Sequence, residues 1–245
     1  MSHNVTIQEG ALFIADAHDC TQRAFFLSFL HDIAKNPPPQ LFLMGDMFDL
    51  LIGDVRYGLH KYAHYITLLE SIAQTCEVYY FEGNHDFNLK NYFSHVRVIG
   101  IKEQPILGLL PTGKTVLLSH GDKYGDFIHR TYTSIIRNPL VLKVLNAIDI
   151  TFNYAISKKI ESNQQKKALC RTISAFETLI SKKLPHYPNA DVIAEGHYHQ
   201  NRSFHISHTF YINFSSFACN QSYFCVQSSL ETPFAPMQYR SCPTK

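Results

Sequence analysis

Side chains of the kinds that bind metal ions recur at five places along the chain, each just after a short apolar run. The five places are Asp16-Ala17-His18, Gly45-Asp46-Met47-Phe48-Asp49, Gly83-Asn84-His85-Asp86, His120-Gly121-Asp122 and Gly196-His197-Tyr198-His199. Imidazole and carboxylate ligands suit Mn, Fe, Co or Zn, and the absence of cysteine from all five places disfavours a structural zinc site. Any one motif is compatible with a surface loop, but all five in this order predict a shared site for two metal ions.

Two metal ions in one site imply a particular chemistry. Divalent cations roughly 3.5–4 Å apart can clamp both the attacking and the leaving oxygen of a phosphoryl transfer. A carboxylate between the two cations offsets their mutual repulsion. The residues alone therefore indicate a site suited to phosphoryl transfer.

The elements that must position these residues alternate between strands and helices. Short apolar runs predict strands at 11–15, 41–44, 78–81, 115–119 and 192–194, and helical spacing of apolar residues predicts helices at 21–35, with Thr21 as its N-cap, and at 59–74. A β-rich tail follows at 204–227. This alternation indicates an α/β sandwich. Because such sheets bind ligands beyond the carboxyl ends of their strands, the five motifs are expected to meet in one crevice.

Composition limits the class of protein. The 245 residues are 45% hydrophobic with a net charge of +2, which excludes wholesale disorder and allows one core with a small insert. No apolar run approaches the roughly 18–20 residues of a membrane-spanning helix, and residues 1–10 lack the pattern of a signal peptide. The six cysteines (20, 76, 170, 219, 225 and 242) form no C-x-x-C pair and are expected to be reduced, cytoplasmic thiols.

Residues 123–185 differ in texture from the rest of the chain. They read as helix, with 11 Lys and Arg against 4 Asp and Glu, whereas the remainder has 11 against 16. This segment is either a solvated helical face or a platform for a polyanionic or membrane-associated ligand. Its apolar residues between 140 and 156 either pack on the body or offer a surface to acyl chains or a bilayer interface. Its lysines could also follow a nucleic-acid backbone, but no interleaved aromatic stacking platform accompanies them.

The five motifs together resemble the signature of the calcineurin-like metallophosphoesterases: D-x-H, G-D-x-x-D, G-N-H-[DE], a later His and G-H-x-H. The resemblance runs from Asp16 to His199. It implies a four-layer αββα sandwich and two sets of metal ligands. The implied ligands are Asp16, His18 and His199 for the first ion, Asn84, His120 and His197 for the second, and Asp46 as the bridge. His85 would contact the phosphate or protonate the leaving group, and Asp49 and Asp86 would orient histidines.

A narrower resemblance is to the bacterial UDP-2,3-diacylglucosamine diphosphatases of lipid A synthesis. It is carried by residues 45–54 and 83–87, by His-Gly-Asp, and by a helical insert before G-H-x-H. It implies cleavage to UMP and 2,3-diacylglucosamine 1-phosphate with two divalent ions, Mn²⁺ being expected, in a cytoplasmic protein peripherally bound to the inner membrane. The implied substrate contacts are Asn84, His85, Asp126, Asn163, Lys166 and His197. In that family Arg usually follows G-N, and this chain has His85 there.

The leading hypothesis is therefore a hydrolase with a single metallophosphoesterase domain, 1–245, that carries residues 123–185 as a helical lid over the acyl chains. Its substrate is a UDP-linked lipid, and nucleic acid is not a partner. An alternative is a metallophosphodiesterase that acts on nucleic acid or on soluble nucleotide phosphoesters. A third hypothesis, a non-catalytic scaffold, is disfavoured because a scaffold does not need the intact ligand set.

Overall fold

The computed structural model describes residues 5–20, 23–124, 135–230 and 232–239. Its strands are Val5–Thr6 (β1), Leu12–Ile14 (β2), Gln40–Leu43 (β3), Leu51–Ile52 (β4), Glu77–Phe81 (β5), Asp86–Phe87 (β6), Arg97–Ile99 (β7), Ile106–Leu109 (β8), Thr115–Ser119 (β9), Val192–Glu195 (β10), Arg202–Ile206 (β11), Thr209–Asn213 (β12), Ser222–Val226 (β13) and Phe234–Gln238 (β14). Its α-helices are Phe25–Lys35 (α1), Arg56–Lys61 (α2), Ala63–Ile72 (α3), Pro139–Thr151 (α4), Ala155–Gln165 (α5), Phe176–Lys183 (α6) and Phe217–Asn220 (α7), and 3₁₀ turns lie at Lys90–Tyr92 and Leu184–His186.

Two six-stranded sheets form the centre of the molecule. One has the order β14-β13-β2-β3-β5-β7 and the other β1-β8-β9-β10-β12-β11, and β4 pairs separately with β6. The strands β2, β3, β5 and β7 run parallel to one another, as do β9, β10 and β12. The carboxyl ends of the parallel strands in each sheet therefore lie along one edge, where the polar motifs begin.

Alternating side chains of the parallel strands divide the core into layers. In β3, Phe42 points toward the second sheet and stacks on Phe13 with ring centroids 4.3 Å apart, whereas Leu41 and Leu43 face α1 and α3. In the second sheet, Leu117 points outward and packs with Phe176 of α6. The order helix–sheet–sheet–helix is the expected αββα sandwich, and that prediction is confirmed.

The five strands predicted from apolar runs correspond to β2, β3, β5, β9 and β10. The predicted helix 59–74 is instead two helices, α2 and α3, separated at Tyr62. The Tyr62 side chain is buried, and its hydroxyl donates to the Asp19 carbonyl at 3.1 Å. Apolar periodicity runs through this break and does not reveal it. Thr21 lies outside the described residues, and Ala24 is the residue before α1.

The described part of the predicted insert, residues 135–185, contains α4, α5 and α6 and no strand. Helix α4 begins with Pro139, and the side chain of Asn138 accepts hydrogen bonds from the Leu140 and Val141 amides, which are free at a helix start. In the described part of the chain no single helix has the length and apolar character to cross a membrane. Only α4 and α5 taken together reach that size and composition, and they are bent at 101°.

A disulfide bond joins Cys170, in the insert, to Cys219 in α7. The prediction that all six cysteines are reduced is therefore wrong for this pair. The two residues are 49 positions apart in the sequence and form no recognisable motif. Only the fold, which lays the end of the insert against α7, brings the two sulfur atoms together. Cys242 lies outside the described residues.

Candidate metal centre

The predicted ligands lie where the parallel strands end and the backbone turns sharply. Each ligand motif follows directly on one of the strands β2, β3, β5, β9 and β10. Five of the candidate ligands adopt positive φ angles between 41° and 67°: Asp16, His18, Asp46, His197 and His199. Residues other than glycine rarely adopt this left-handed conformation, and clusters of it occur at functional sites. Here the turns are held by main-chain bonds, such as His18 N–H to the Asp46 carbonyl at 3.0 Å.

The fold gathers six of these side chains into two groups. Asp16, His18 and His199 form one group, and Asp46, His120 and His197 form the other, with the candidate ligand atoms inside each group within 4.8 Å of one another. Asp16, Asp46, His18 and His120 are buried. The grouping agrees with the two ligand sets that the family resemblance implies, with Asp46 placed beside His120 and His197.

Hydrogen bonds from ring nitrogens fix two of the histidines in the form that a metal ligand needs. The Nδ1 of His120 donates to the Met44 carbonyl at 2.9 Å, and the Nδ1 of His199 donates to the Leu169 carbonyl at 2.8 Å. A carbonyl oxygen only accepts, so the proton of each neutral ring lies on Nδ1. Each Nε2 then carries a lone pair that faces the centre.

Several buried polar atoms at the centre have no hydrogen-bond partner among the described residues. They are both ring nitrogens of His18, the Nε2 of His120 and the Oδ1 of Asn84. Leaving such an atom unpaired costs about 1–3 kcal/mol. A divalent cation bound to imidazole, amide and carboxylate atoms would remove this cost, so the residues fit the ions that the signature implies.

Opposite charges around the centre shift several pKa values. Burial tends to raise the pKa of Asp46, but His120 and His85 outweigh it and hold the pKa well below its usual range. Burial tends to lower the pKa of His199, but Asp16 outweighs it and raises the pKa to about 8. Burial lowers the pKa of His197 to about 4. The site therefore keeps Asp46 ionised and His197 neutral, as metal coordination requires.

Asp49 and Asp86 support the centre in different ways. The Oδ1 of Asp49 lies 3.3 Å from Nδ1 of His18, and the guanidinium of Arg23 bonds both carboxylate oxygens at 2.9 and 2.7 Å. Asp86 contacts no histidine ring through a hydrogen bond in the described residues. It accepts the amides of Asp46 and Met47 at 2.9 and 2.6 Å, and so anchors the turn that carries Asp46.

Two glycines in the motifs are required by close approach of the ligands. A Cβ on Gly83 would collide with the Oδ1 and the amide nitrogen of Asp46. A Cβ on Gly45 would lie 2.5 Å from Nδ1 of His120, and Gly45 also has a φ of 90°. Any side chain at either position would push the ligand loops apart.

His85 lies at the centre but outside both ligand groups. Its amide donates to Oδ1 of Asp46 at 2.8 Å, and its Nδ1 donates to the Asp49 carbonyl at 3.0 Å. Its ring packs edge-on against that of His18, with centroids 5.0 Å apart. Burial lowers the pKa of His85, although the nearby Asp46 carboxylate opposes this shift. A substrate phosphate would favour the protonated ring, because an adjacent anion raises the pKa of a histidine.

The segment that follows α5 lies against the centre, although not through the residues that were singled out. Asn163 and Lys166 are exposed at the carboxyl end of α5, and in the described part of the chain neither forms a hydrogen bond or an ion pair with a candidate ligand. Asp126 lies outside the described residues. The carbonyl of Leu169 reaches His199 instead. Sequence reasoning missed Leu169 and Arg23, because neither belongs to a motif.

Comparison with known families decides which fold and chemistry this centre represents. The model of the calcineurin-like phosphoesterase family matches residues 11–201. The chain belongs to this family. It is therefore a metal-dependent phosphoesterase, and the expectation of a hydrolase that uses divalent metal ions is confirmed.

Several curated relatives within the family are UDP-2,3-diacylglucosamine hydrolases. A UDP-2,3-diacylglucosamine hydrolase of Coxiella burnetii (strain RSA 331 / Henzerling II) is 27% identical over 197 residues, which cover 77% of this chain and 80% of the relative. One of Blochmanniella pennsylvanica is 26% identical over 77% of this chain and 78% of the relative, and one of Serratia proteamaculans is 30% identical over 63% and 66%. The resemblance to this group is confirmed.

Solved structures with a similar chain path are more distant in sequence. A novel archaeal phosphodiesterase superposes with a TM-score of 0.45 at 10% identity and covers 94% of this chain and 99% of its own. A phosphoesterase from E. coli gives a TM-score of 0.45 at 15% identity, covering 93% and 98%.

Proposed function

We propose that the chain hydrolyses the pyrophosphate of UDP-2,3-diacylglucosamine to UMP and 2,3-diacylglucosamine 1-phosphate, with two Mn²⁺ ions. The observation that carries this proposal is that a basic, partly apolar helical insert passes against the metal centre, where the Leu169 carbonyl accepts a hydrogen bond from His199. A substrate with an anionic pyrophosphate and a lipid part requires both features side by side. The names of the curated relatives support the same substrate.

In this proposal Asp16, His18 and His199 hold the first ion, and Asn84, His120 and His197 hold the second, with Asp46 between them. When bound, the two cations neutralise the charge that develops on the phosphoryl oxygens. The protein's own residues orient the side chains that would hold the ions. Asp86 fixes the Asp46 turn, the Met44 carbonyl fixes the ring of His120, and the Asp49 carboxylate lies 3.3 Å from Nδ1 of His18.

His85 acts on the substrate phosphate. The Asp49 carbonyl holds its Nδ1 proton, which leaves Nε2 as the atom that receives a proton from solvent and passes it to the leaving oxygen. A positioned group of this kind contributes typically 10²–10⁴-fold to the rate. In the related diphosphatases an arginine usually occupies this position, and a histidine offers one donor in place of its fork.

Residues 123–185 serve as the lid over the acyl chains of a single domain that spans 1–245. Apolar side chains line one exposed stripe across both helices: Leu140, Val144 and Ile148 at four-residue spacing on α4, then Phe152, and then Ile156 and Ile160 on α5. Phe152, Ile156 and Ile160 also line an apolar depression of about 480 Å³. Buried Leu142 packs with Val55 and Phe87 of the body, whereas buried Asp149 accepts hydrogen bonds from Ser157 and so joins α4 to α5.

The test is a substrate panel assayed with the purified protein and Mn²⁺. We expect release of UMP from UDP-2,3-diacylglucosamine to exceed turnover of a dinucleoside polyphosphate or single-stranded DNA by orders of magnitude. Asp46→Ala serves as the inactive control, so that contaminating hydrolases are recognised. Preferential cleavage of DNA or of soluble nucleotides would refute the lipid substrate and favour the general phosphodiesterase.

Lys166→Ala tests the lid contact within this proposal, with Lys182→Ala as the matched control, because Lys182 is an exposed lysine at the far end of the insert. A charge-assisted hydrogen bond is worth roughly 1.5–3 kcal/mol, so Lys166→Ala is expected to reduce kcat/KM for the UDP-lipid by about ten- to a hundredfold. Turnover of a small chromogenic phosphodiester should not change, because this ester reaches the metals without touching the insert. Equal losses on both substrates would show that the substitution disturbs the metal centre.

A further inference from the structure

Arg137 lies in the insert, two residues before α4, and its side chain is directed away from solvent into the metal-binding edge of the body. The side chain is only 10% exposed. Its Nη2 donates to the Gly83 carbonyl at 2.7 Å and to Oδ2 of Asp122 at 3.2 Å. One guanidinium nitrogen therefore joins two different loops at the edge of the sheets.

Both of these loops carry candidate ligands. Gly83 directly precedes Asn84 and His85, and Asp122 follows His120 by two residues. The loops leave different sheets, because β5 belongs to one and β9 to the other. A bond to each from a single nitrogen fixes the distance between them, and with it the separation of Asn84 from His120.

Arg137 is itself firmly seated. Its Cζ lies 4.7 Å from the centroid of the Phe87 ring, and its carbonyl accepts a hydrogen bond from the side-chain amide of Asn88 at 3.0 Å. The neighbouring Ile136 packs with Val55 and Phe87 in a small apolar cluster. The start of the insert is thus fastened to residues 83–88 by main chain, ring face and guanidinium together.

The charge of Arg137 is not explained by stability. Its nearest acidic groups are Asp122 and, 3.9 Å from Nη1, Glu82. Nη1 and the Oδ1 of Asp122 are buried without hydrogen-bond partners in the described part of the chain. A buried ion pair with unmet donors and acceptors contributes little compared with apolar residues of the same volume. A role in geometry accounts for the guanidinium better than a role in folding.

We propose that Arg137 is a positioning residue of the phosphoesterase reaction, which holds the Asn84 loop and the His120 loop at the spacing that the second metal ion needs. The inference rests on the assignment of Asn84 and His120 to that ion. It adds a residue of the insert to the machinery of the body, so that the docked insert and the competent second site form together.

The test compares Arg137→Met, Arg137→Lys and the control Lys143→Met. Methionine keeps an unbranched apolar side chain over Phe87 and removes both hydrogen bonds, whereas lysine keeps the charge but can reach only one acceptor well. Lys143 is an exposed residue of α4. Each metal-stripped variant is titrated with Mn²⁺ by calorimetry, and its thermal unfolding is measured. Its activity is assayed with a chromogenic phosphodiester, because this assay does not depend on the proposed lipid substrate.

We expect Arg137→Met to bind the second ion about 10- to 100-fold more weakly, with the first ion unchanged, since a charge-assisted bond is lost from one site only. At fixed, subsaturating Mn²⁺ its kcat should fall by a similar factor. Its KM should change by less than about threefold. Arg137→Lys should lie between Arg137→Met and the wild type, and Lys143→Met should match the wild type.

Unchanged affinity for the second ion in Arg137→Met would overturn the proposal, and so would an equal loss of affinity for both ions. If Arg137→Met does not fold, Arg137→Lys decides the question, and wild-type affinity for both ions in this variant would refute the role. A failure of UDP-lipid hydrolysis with a selective second-ion defect would refute the proposed substrate and leave the role of Arg137 standing.

Discussion

At the scale of single residues, Asp46 is the side chain on which most of the centre converges. Its Oδ1 accepts the His85 amide, its Oδ2 lies 3.4 Å from Nε2 of His120, and its carbonyl accepts the His18 amide. Its conformation, with φ at 54°, is fixed in turn by Asp86. Ligand loops from both sheets are therefore held together at Asp46.

Asp46→Ala should therefore lose both metal ions, because a bridging carboxylate serves each of them. His18→Ala should weaken chiefly the first ion and is the comparison variant. The measurement is metal content per chain by elemental analysis after dialysis. Two bound ions per chain in Asp46→Ala would refute the bridging role.

His85→Ala should keep its metal and lose rate. Because His85 lies outside both ligand groups, we expect two ions per chain and a kcat lower by roughly 10²–10⁴-fold, the range for a lost acid–base group. His95→Ala is the matched control, since His95 is exposed and pairs with Glu70. Loss of metal in His85→Ala would instead make His85 a ligand.

The residues of the five motifs could be predicted because ligand-type side chains occur there in short, local sequence patterns. Arg23 and Arg137 could not be, although both make bonds that hold the site. Arg23 reaches Asp49 across 26 positions and Arg137 reaches Gly83 across 54. A lone arginine in a helical or loop segment carries no signal of its partner, and only the packing of the elements shows it.

At the scale of elements, the strands that carry ligands were predictable. The strands at the edges of the sheets were less so. Buried runs such as 115–119 coincide with β9, because both faces of a central strand are covered. Edge strands such as β1 and β7 are short and were missed. The break at Tyr62 was also missed. It results from a contact between Tyr62 and Asp19, which are 43 positions apart in the sequence.

The link between the insert and α7 gives a prediction at this scale. Closing a loop of 49 positions by a disulfide stabilises a fold by about 4 kcal/mol in the chain-entropy treatment, and measured effects are typically 2–4 kcal/mol. Cys170→Ser with Cys219→Ser should therefore lower the free energy of unfolding by about 2–4 kcal/mol. Because Leu169, the neighbour of Cys170, bonds His199, binding of the first ion should weaken as well.

Urea unfolding of the double variant, of the wild type with and without dithiothreitol, and of Cys225→Ser as a control measures this effect. Cys225 lies in β13, away from the pair. The reduced wild type should behave as the double variant does. Identical unfolding of the oxidised and reduced wild type would contradict the prediction.

At the scale of the whole molecule, charge and apolar exposure are both concentrated in the insert. Residues 123–185 carry 11 Lys and Arg against 4 Asp and Glu, and the body is acidic. The same segment holds the most exposed large apolar side chains that the structure describes, Leu140 at 73% and Phe152 at 64%. A basic surface with exposed apolar side chains is typical of peripheral attachment to an anionic bilayer. We therefore expect the insert to bind an anionic membrane surface.

Binding to vesicles tests this arrangement. Each large apolar side chain that enters the interface contributes up to about 1.5–3 kcal/mol, so Leu140→Gln with Phe152→Gln should lower the partition coefficient on anionic vesicles by at least tenfold. Leu109→Gln is the matched control, because Leu109 is 46% exposed but lies on β8 of the body.

Binding of the wild type should fall with added salt, since each basic residue near an anionic surface contributes about 1 kcal/mol that salt screens. Sedimentation with vesicles that contain anionic phospholipid measures all three proteins. Equal binding of the double variant and of Leu109→Gln would place the membrane contact elsewhere and leave the apolar stripe to the acyl chains alone.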